Sequence, residues 1–575
     1  MASLQDDHLL STNQQRALDL LLRIKHDFDP RHLCEACKEL TSLALKHADC
    51  VQVLEGYHAH RPVMDMMEHR TYEADIQQTG YEALAAMMST SNKLRELIQK
   101  RNVHQDVLEI MSKHSKDSSV QTAAMKVITF LAMSTNICNY LLEEQMLESV
   151  VQTMKNFPDN ASLQKVANQA LRQLLAEDPA VQIDFVDAKK HRPTIAALRN
   201  HHDDAGVQEE ALWLLAVLAG SEENYDILLQ ETQKLLTTAM RNFPKNEGVQ
   251  MACFALTNAV AINIESQLLL EVNGVSQLVL DAIRTFRNST DIQTLGFCIL
   301  DKLADVIFRP SSASSCTCIL DAPAEANWLP DIFMGLTLHL DNGECQEAGC
   351  NALNKLIEKR PHVLKRNEDS IENAVLASLR VHGCVEVGVF IASCAAIYSL
   401  VKNSEWMRES FMEKGTYIDV QSGMTTFKLD DRAQAVACKA LMGLCLFSPE
   451  DKEALALAGV QAEIFTALKL YPNKLDVLEA AIGAVACLAD VDIVRYQCMV
   501  EGVHELILQS MVRHPDNKDM QELALEAMAV LSTAGETKLG WESSVLDLSP
   551  QAKTEKKSPI VTLFQPKLEK YRDET

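Results

Sequence analysis

At 575 residues the chain is longer than one hydrophobic core normally spans. Its 20 Gly and 16 Pro are near half of ordinary usage, which excludes a string of β-sandwiches, a collagen-like chain and a Pro/Gly-rich disordered chain. Apolar residues make up 47% and aromatics only 5%, so Leu, Ala, Val and Met must form the core, and a net charge of -25 argues against nucleic acid or an anionic membrane surface as partner.

The N-terminal MASLQDDHLL places Asp6 and Asp7 where a secretory signal would turn basic and then apolar. Residues 1–29 are expected to form a helical cap. From residue 30 one segment recurs: SVQTAAMKVITFLA (119–132), GVQEEALWLLAVLA (206–219), GVQMACFALTNAVA (248–261) and DMQELALEAMAVLS (519–532). With the Gln as anchor, the full set is Leu33, Gln77, Gln121, Gln164, Gln208, Gln250, Gln293, Gln346, Val387, Gln434, Leu478 and Gln521, spaced 41 to 47 residues apart except for one interval of 53. Three residues past the anchor stands a small residue, and seven and ten past it an apolar one, as at Ala124, Ile128 and Leu131. These offsets fall within an arc of about 80° on a helix, a stripe that one unit cannot bury alone. Each unit then carries a second amphipathic helix, such as 146–160 or 503–517, ended by Pro158, Pro244, Pro472 or Pro515, with Gly274, Gly459 and Gly502 in the turns before it. Two segments lack the period, 309–328 and 413–432, and are expected as irregular insertions. The polar stretch 536–575 is expected as a disordered tail. The longest uncharged run, 387–401, is too short to cross a bilayer. With 16 dispersed Cys and no leader, a reduced, cytoplasmic chain is expected, with the nucleus as an alternative.

The unit x-x-V-Q-x-x-A-x-x-x-L-x-x-L-A, with G-V before the last helix and [MLI]-[KR]-x-[FYH]-P-x-N after it, resembles the armadillo repeat over about residues 30–535. Its style is similar to the armadillo region of leucine-rich-repeat Roco kinases and to stand-alone armadillo proteins. The resemblance implies an all-α, right-handed α-solenoid of about eleven to twelve repeats, with the last helix of each unit lining a concave groove. It implies a non-enzymatic scaffold or adaptor whose partners are other proteins. Two other functions suit such a rod: a chaperone- or exchange-factor-like regulator cradling a folded client or small GTPase, and a regulatory partner of a kinase.

Motifs for phosphate loops, dinucleotide folds, hydrolase elbows and kinases are missing from the sequence. No catalytic residue, cofactor or metal is therefore expected. His504-Glu505 lacks the second His of a zinc helix, and Cys34-x-x-Cys37 has no second ligand pair nearby. Cys316 and Cys318 fall in the first insertion. The four Trp share no repeat position, which weighs against an importin-type Trp/Asn array. The candidate binding residues are Lys155, Arg199, Arg241, Arg284, Arg380 and Lys469, which recur at the ends of the second helices. Aligned on a groove they would suit an acidic or phosphorylated peptide segment; alternatively they complement helix dipoles. Ser549-Pro550 and Ser558-Pro559 in the tail are candidate phosphorylation sites.

Overall fold

The structure, a computed structural model, describes residues 11–221, 223–307, 328–361, 364 and 368–532. The stretch 309–327, with Cys316 and Cys318, and the tail with Ser549 and Ser558 lie outside the described residues. The regular elements among the described residues are all helices. The chain divides into two compact units between Leu278 and Val279.

Each anchor sits in a long helix. In the first unit these anchor helices are Pro30–Lys46, Ala74–Thr90, Ser118–Leu131, Ala161–Leu174, Ala205–Ala219 and Glu247–Val260. In the second they are Thr290–Ile307, Gly343–Lys359, Val387–Asn403, Asp431–Cys445, Leu475–Leu488 and Lys518–Ser532. A short helix and then a terminal helix follow, as in Thr135–Glu143 and Met146–Asn156. The opening helix Thr12–His26 begins with a capping box at Ser11 and packs on Pro30–Lys46.

The apolar stripe is buried where the period places it. Leu131, Leu171, Leu215 and Leu218 in the first unit, and Leu300, Leu441 and Leu444 in the second, are fully covered. Consecutive anchor helices within a unit pack on each other far more extensively than consecutive terminal helices do. The small residue at the third offset permits a second approach, that of the preceding terminal helix, Leu329–Leu338 in the case of Gly349. A Cβ on Gly349 would meet Leu336 Cδ2 at 2.6 Å, closer than side chains tolerate.

The anchor glutamine caps the helix before it. Gln77, Gln121, Gln164, Gln208, Gln250, Gln293, Gln346, Gln434 and Gln521 each donate their side-chain amide to two backbone carbonyls, ten and seven residues earlier, at 2.8–3.2 Å. Those carbonyls end the preceding terminal helix and have no partner within it. One buried side chain therefore closes one helix while belonging to the next.

Two expectations from the sequence are corrected. The backbone N–H of each anchor donates to the carbonyl of the N-cap residue four positions earlier, as Gln346 does to Asn342 and Gln434 to Asp430. In the ninth anchor helix that bond joins Phe390 to Glu386, so Phe390 and not Val387 occupies the anchor place. The flanking intervals then become 44 and 44 residues. The irregular insertion at 413–432 disappears with them. Those residues form the end of Glu405–Glu413, the helix Thr416–Thr426 and the start of Asp431–Cys445, an ordinary repeat whose turn glycine is Gly415.

Candidate protein-binding site

All six candidate cations stand in the last turns of terminal helices or at the matching place, and all are exposed. They therefore lie on the more open layer of each unit, not on the closely stacked anchor layer. What separates them is what the next repeat offers.

Four of the six are occupied. Arg241 donates to the Asn273 carbonyl at 3.1 Å, Arg380 to the Lys414 carbonyl at 2.8 Å and to Asp419 Oδ2 at 2.9 Å, and Lys469 to Glu501 Oε2 at 2.7 Å. In each case the acceptor is, or includes, the residue just before a turn glycine, Gly274, Gly415 or Gly502. Arg284 forks onto Asp331 Oδ2 at 2.8 and 3.0 Å, and that pairing raises its pKa further above the ordinary arginine value. Such exposed bonds contribute about 0.2–1 kcal/mol each to the register of one repeat on the next.

Lys155 and Arg199 make no ion pair or side-chain hydrogen bond among the described residues. The turn that follows Lys155 carries Lys189, a second cation, in left-handed backbone (φ 59°) where the turns that accept Arg241, Arg380 and Lys469 carry glycine. The repeat that would accept Arg199 has no such turn, because its short and terminal helices are fused into Tyr225–Asn242. A cleft of about 350 Å³ opens there, lined by Lys155, Pro158, Lys189, Arg192, Pro193 and Asn200. A second of about 310 Å³ adjoins it, lined by Arg192, Ile195, Ala196, Arg199 and Glu231.

The frame of this cleft is buried and bonded. His191 precedes the helix Arg192–Asn200 with its ring covered, Nε2 lying 3.1 Å from Glu231 Oε2. Burial lowers its pKa, and the Glu231 contact opposes that shift. Thr194 Oγ1 donates to Asn168 Oδ1 at 2.8 Å, and His201 Nε2 lies 2.8 Å from the Pro158 carbonyl of the preceding repeat. Lys190 is taken by Glu148 at 3.2 Å. Lys189 and Arg192, like Lys155 and Arg199, are exposed and have no ion pair among the described residues. The chemistry available is that of a small anion site with an apolar floor of Pro158, Pro193 and Ala196.

Lys189 and Arg192 were absent from the expected ladder. The run Lys189-Lys190-His191-Arg192 was nonetheless visible in the sequence. Cys34 and Cys37 lie on Pro30–Lys46, where burial pushes the Cys37 thiol up to about 12, and His32 Nδ1 contacts Asp27 at 3.0 Å. No cluster of His, Cys, Asp or Glu among the described residues is arranged to hold a metal ion. No helix among them is long and apolar enough to cross a membrane.

A family model described as the LRRK2 ARM repeat matches residues 19–539. Among solved structures, a β-catenin armadillo structure from work on a phosphorylation switch controlling the interaction between cadherin and β-catenin superposes with a TM-score of 0.61. It is 13% identical, and the match covers 90% of this chain and 99% of that one. An engineered protein matches at 19% identity over 42% of this chain and 98% of its own, with a TM-score of 0.37.

Proposed function

The chain belongs to the LRRK2 ARM repeat family, and from that premise we propose that it is a non-enzymatic interaction scaffold that binds an acidic or phosphorylated protein segment across Lys155, Lys189, Arg192 and Arg199. The observation that carries this reading is the contrast among equivalent cations. Arg241, Arg284, Arg380 and Lys469 are bonded to the next repeat; around Met146–Asn156 and Arg192–Asn200 four cations are gathered without a partner among the described residues. Clustered like charges repel, and a site that keeps them unpaired gains most from an anionic ligand. Lys189 adds to the case, since a lysine in left-handed backbone costs about 1–2 kcal/mol where Gly would be relaxed.

An extended segment rises ~3.3 Å per residue and repeats stack ~10 Å apart, so anionic groups about three residues apart would meet Lys155 and Arg199 in turn. The phosphorylation-controlled interaction described for the β-catenin neighbour belongs to that protein; here it motivates the choice of probe. The test is fluorescence anisotropy of the full chain with a labelled peptide bearing phosphoserine at every third position. Binding should weaken with added salt. Lys155→Glu/Arg199→Glu should weaken it at least ten-fold, whereas Arg380→Glu should leave it unchanged. Equal affinity for the wild type and the double variant would overturn the reading.

A further inference from the structure

A separate cavity lies at the other end of the first unit. About 200 Å³ of space opens between the terminal helix His60–Glu68, the anchor helix Ala74–Thr90 and the terminal helix Val103–Lys113. Its walls are apolar, from Met64, Met67, Leu84, Val103 and Ile110. Beside this space lie two buried polar groups with no hydrogen-bond partner among the described residues, the Tyr81 hydroxyl and Gln77 Oε1. Both residues are only 1% exposed. The Gln77 amide is committed to the Met67 and Arg70 carbonyls, which leaves its oxygen free to accept. Burying such groups unpaired costs about 1–3 kcal/mol each; Gln164 Oε1 is orphaned in the same way, but here a second orphan, the Tyr81 hydroxyl, stands at the same cavity, and the pair together points to a ligand.

The rim carries Glu68, Asp106 and Glu109. Glu109 is held by Lys113 at 2.5 Å, and Glu68 shares Arg101 with Asp65, at 3.8 and 2.9 Å. The Asp106 carboxylate has no ion pair or side-chain hydrogen bond among the described residues. Burial, then Glu68 and Glu109, raise its pKa, while Arg101 lowers it; a cation placed beside it would relieve that unfavourable charge.

We propose that this cavity receives a lysine side chain from an extended basic segment of a partner protein. The four methylenes would lie along Met64, Met67, Leu84 and Val103, and the ammonium would donate to Asp106, the Tyr81 oxygen and Gln77 Oε1. Three separate acceptors match the three donors of an ammonium; a guanidinium, with its planar fork, would ask for a paired carboxylate face that Asp106 alone does not provide. The rim carboxylates suit the remaining charge of a basic segment. This inference stands apart from the basic cleft, and either can fail without the other.

Methyl NMR of the full chain, labelled at methionine, tests it at the site, because Met64 and Met67 line the cavity. Titrating a short peptide with one central lysine should shift the Met64 and Met67 methyl signals saturably. The same peptide with acetyl-lysine or norleucine should not shift them. Tyr81→Phe and Asp106→Asn should each weaken binding about ten-fold, the loss of one hydrogen bond to a charge. Tyr81→Phe should melt no lower than the wild type, because its hydroxyl has no partner to lose. Unchanged affinity in both variants, or equal binding of the norleucine peptide, would overturn the proposal. Butylammonium binding as tightly as the peptide would assign the cavity to free amines and overturn the partner.

Discussion

In four turns of the first unit a residue bearing a side chain adopts left-handed backbone one to three positions ahead of a terminal helix, at His58, Asn102, Gln145 and Lys189. In the second unit the same place is Gly415, Gly459 or Gly502. The recurring cations follow this division. Arg284, Arg380 and Lys469 of the second unit are bonded to the next repeat, whereas Lys155 and Arg199 of the first are not. Arg241 strengthens the point, since it lies in the first unit yet is followed by Gly274 and bonds beside it, to Asn273. One sequence position therefore serves cohesion where the next turn is relaxed and presents a carbonyl or carboxylate. It serves presentation where the left-handed turn residue is a lysine in place of glycine, or where the turn has been lost.

The apolar stripe common to both units carries the largest effect. Leu131→Asp or Leu218→Asp in the first unit, and Leu441→Asp in the second, each place a carboxylate where the side chain is fully covered. Each should cost several kcal/mol. Hydrogen exchange should show protection lost around the substituted repeat, with the effect fading over its neighbours. Normal protection would mean that the stripe is not the core.

Acid should distinguish the units next. His60, His104 and His191 all lie in the first unit, and burial depresses the pKa of each. His60 is 2% exposed and falls to about 4, through burial and then the nearby His58, Arg61 and Arg101. A histidine whose folded pKa lies below its unfolded value binds more protons when unfolded. Its contribution is present above about pH 6.5 and is lost as pH falls toward 4, at most about 3 kcal/mol for His60. Urea melts followed by exchange should show the first unit weakening across that window. His60→Gln should flatten the slope.

The anchor clamp gives a similar but smaller effect in both units. Gln121→Met and Gln434→Met each deprive two helix-end carbonyls of their donor, and should cost about 2 kcal/mol in denaturant melts. A loss confined to one unit would show that the clamp is not the common element of the repeat.

How much of this was legible in the sequence depended on where the interaction partner lies. The stripe was legible, because Ala124, Ile128 and Leu131 meet their neighbours at fixed helical offsets. The glutamine was legible as a period but not as a clamp, because its partners are backbone carbonyls that no residue type marks. Phe390 was missed for the same reason: it keeps the helix geometry of an anchor without the amide, and counting on Val387 created an insertion that does not exist. The cations were legible as a recurring position, but what each one bonds to was not. Arg380 finds its acceptor 34 residues downstream at Lys414, while 34 residues downstream of Lys155 stands Lys189, a distance at which no local pattern speaks.

The smallest effect separates binding from strain. At Gly415 an added Cβ would meet nothing closer than Ile418 Cδ1 at 3.7 Å, so Gly415→Ala should cost only the left-handed backbone, about 1 kcal/mol. The reverse exchange in the first unit, Gln145→Gly or Lys189→Gly, relaxes the turn but frees the unfolded chain, for a net gain of up to about 1 kcal/mol. Both variants should melt slightly higher than the wild type. They should part company in the anisotropy assay, since Gln145 lies outside the basic cleft and Lys189 within it. If Lys189→Gly gains stability and loses affinity for the phosphopeptide while Gln145→Gly keeps it, the strained lysine is retained for its charge. If both keep affinity, the left-handed side chains of the first unit are inherited turn geometry and the site rests on Lys155, Arg192 and Arg199 alone.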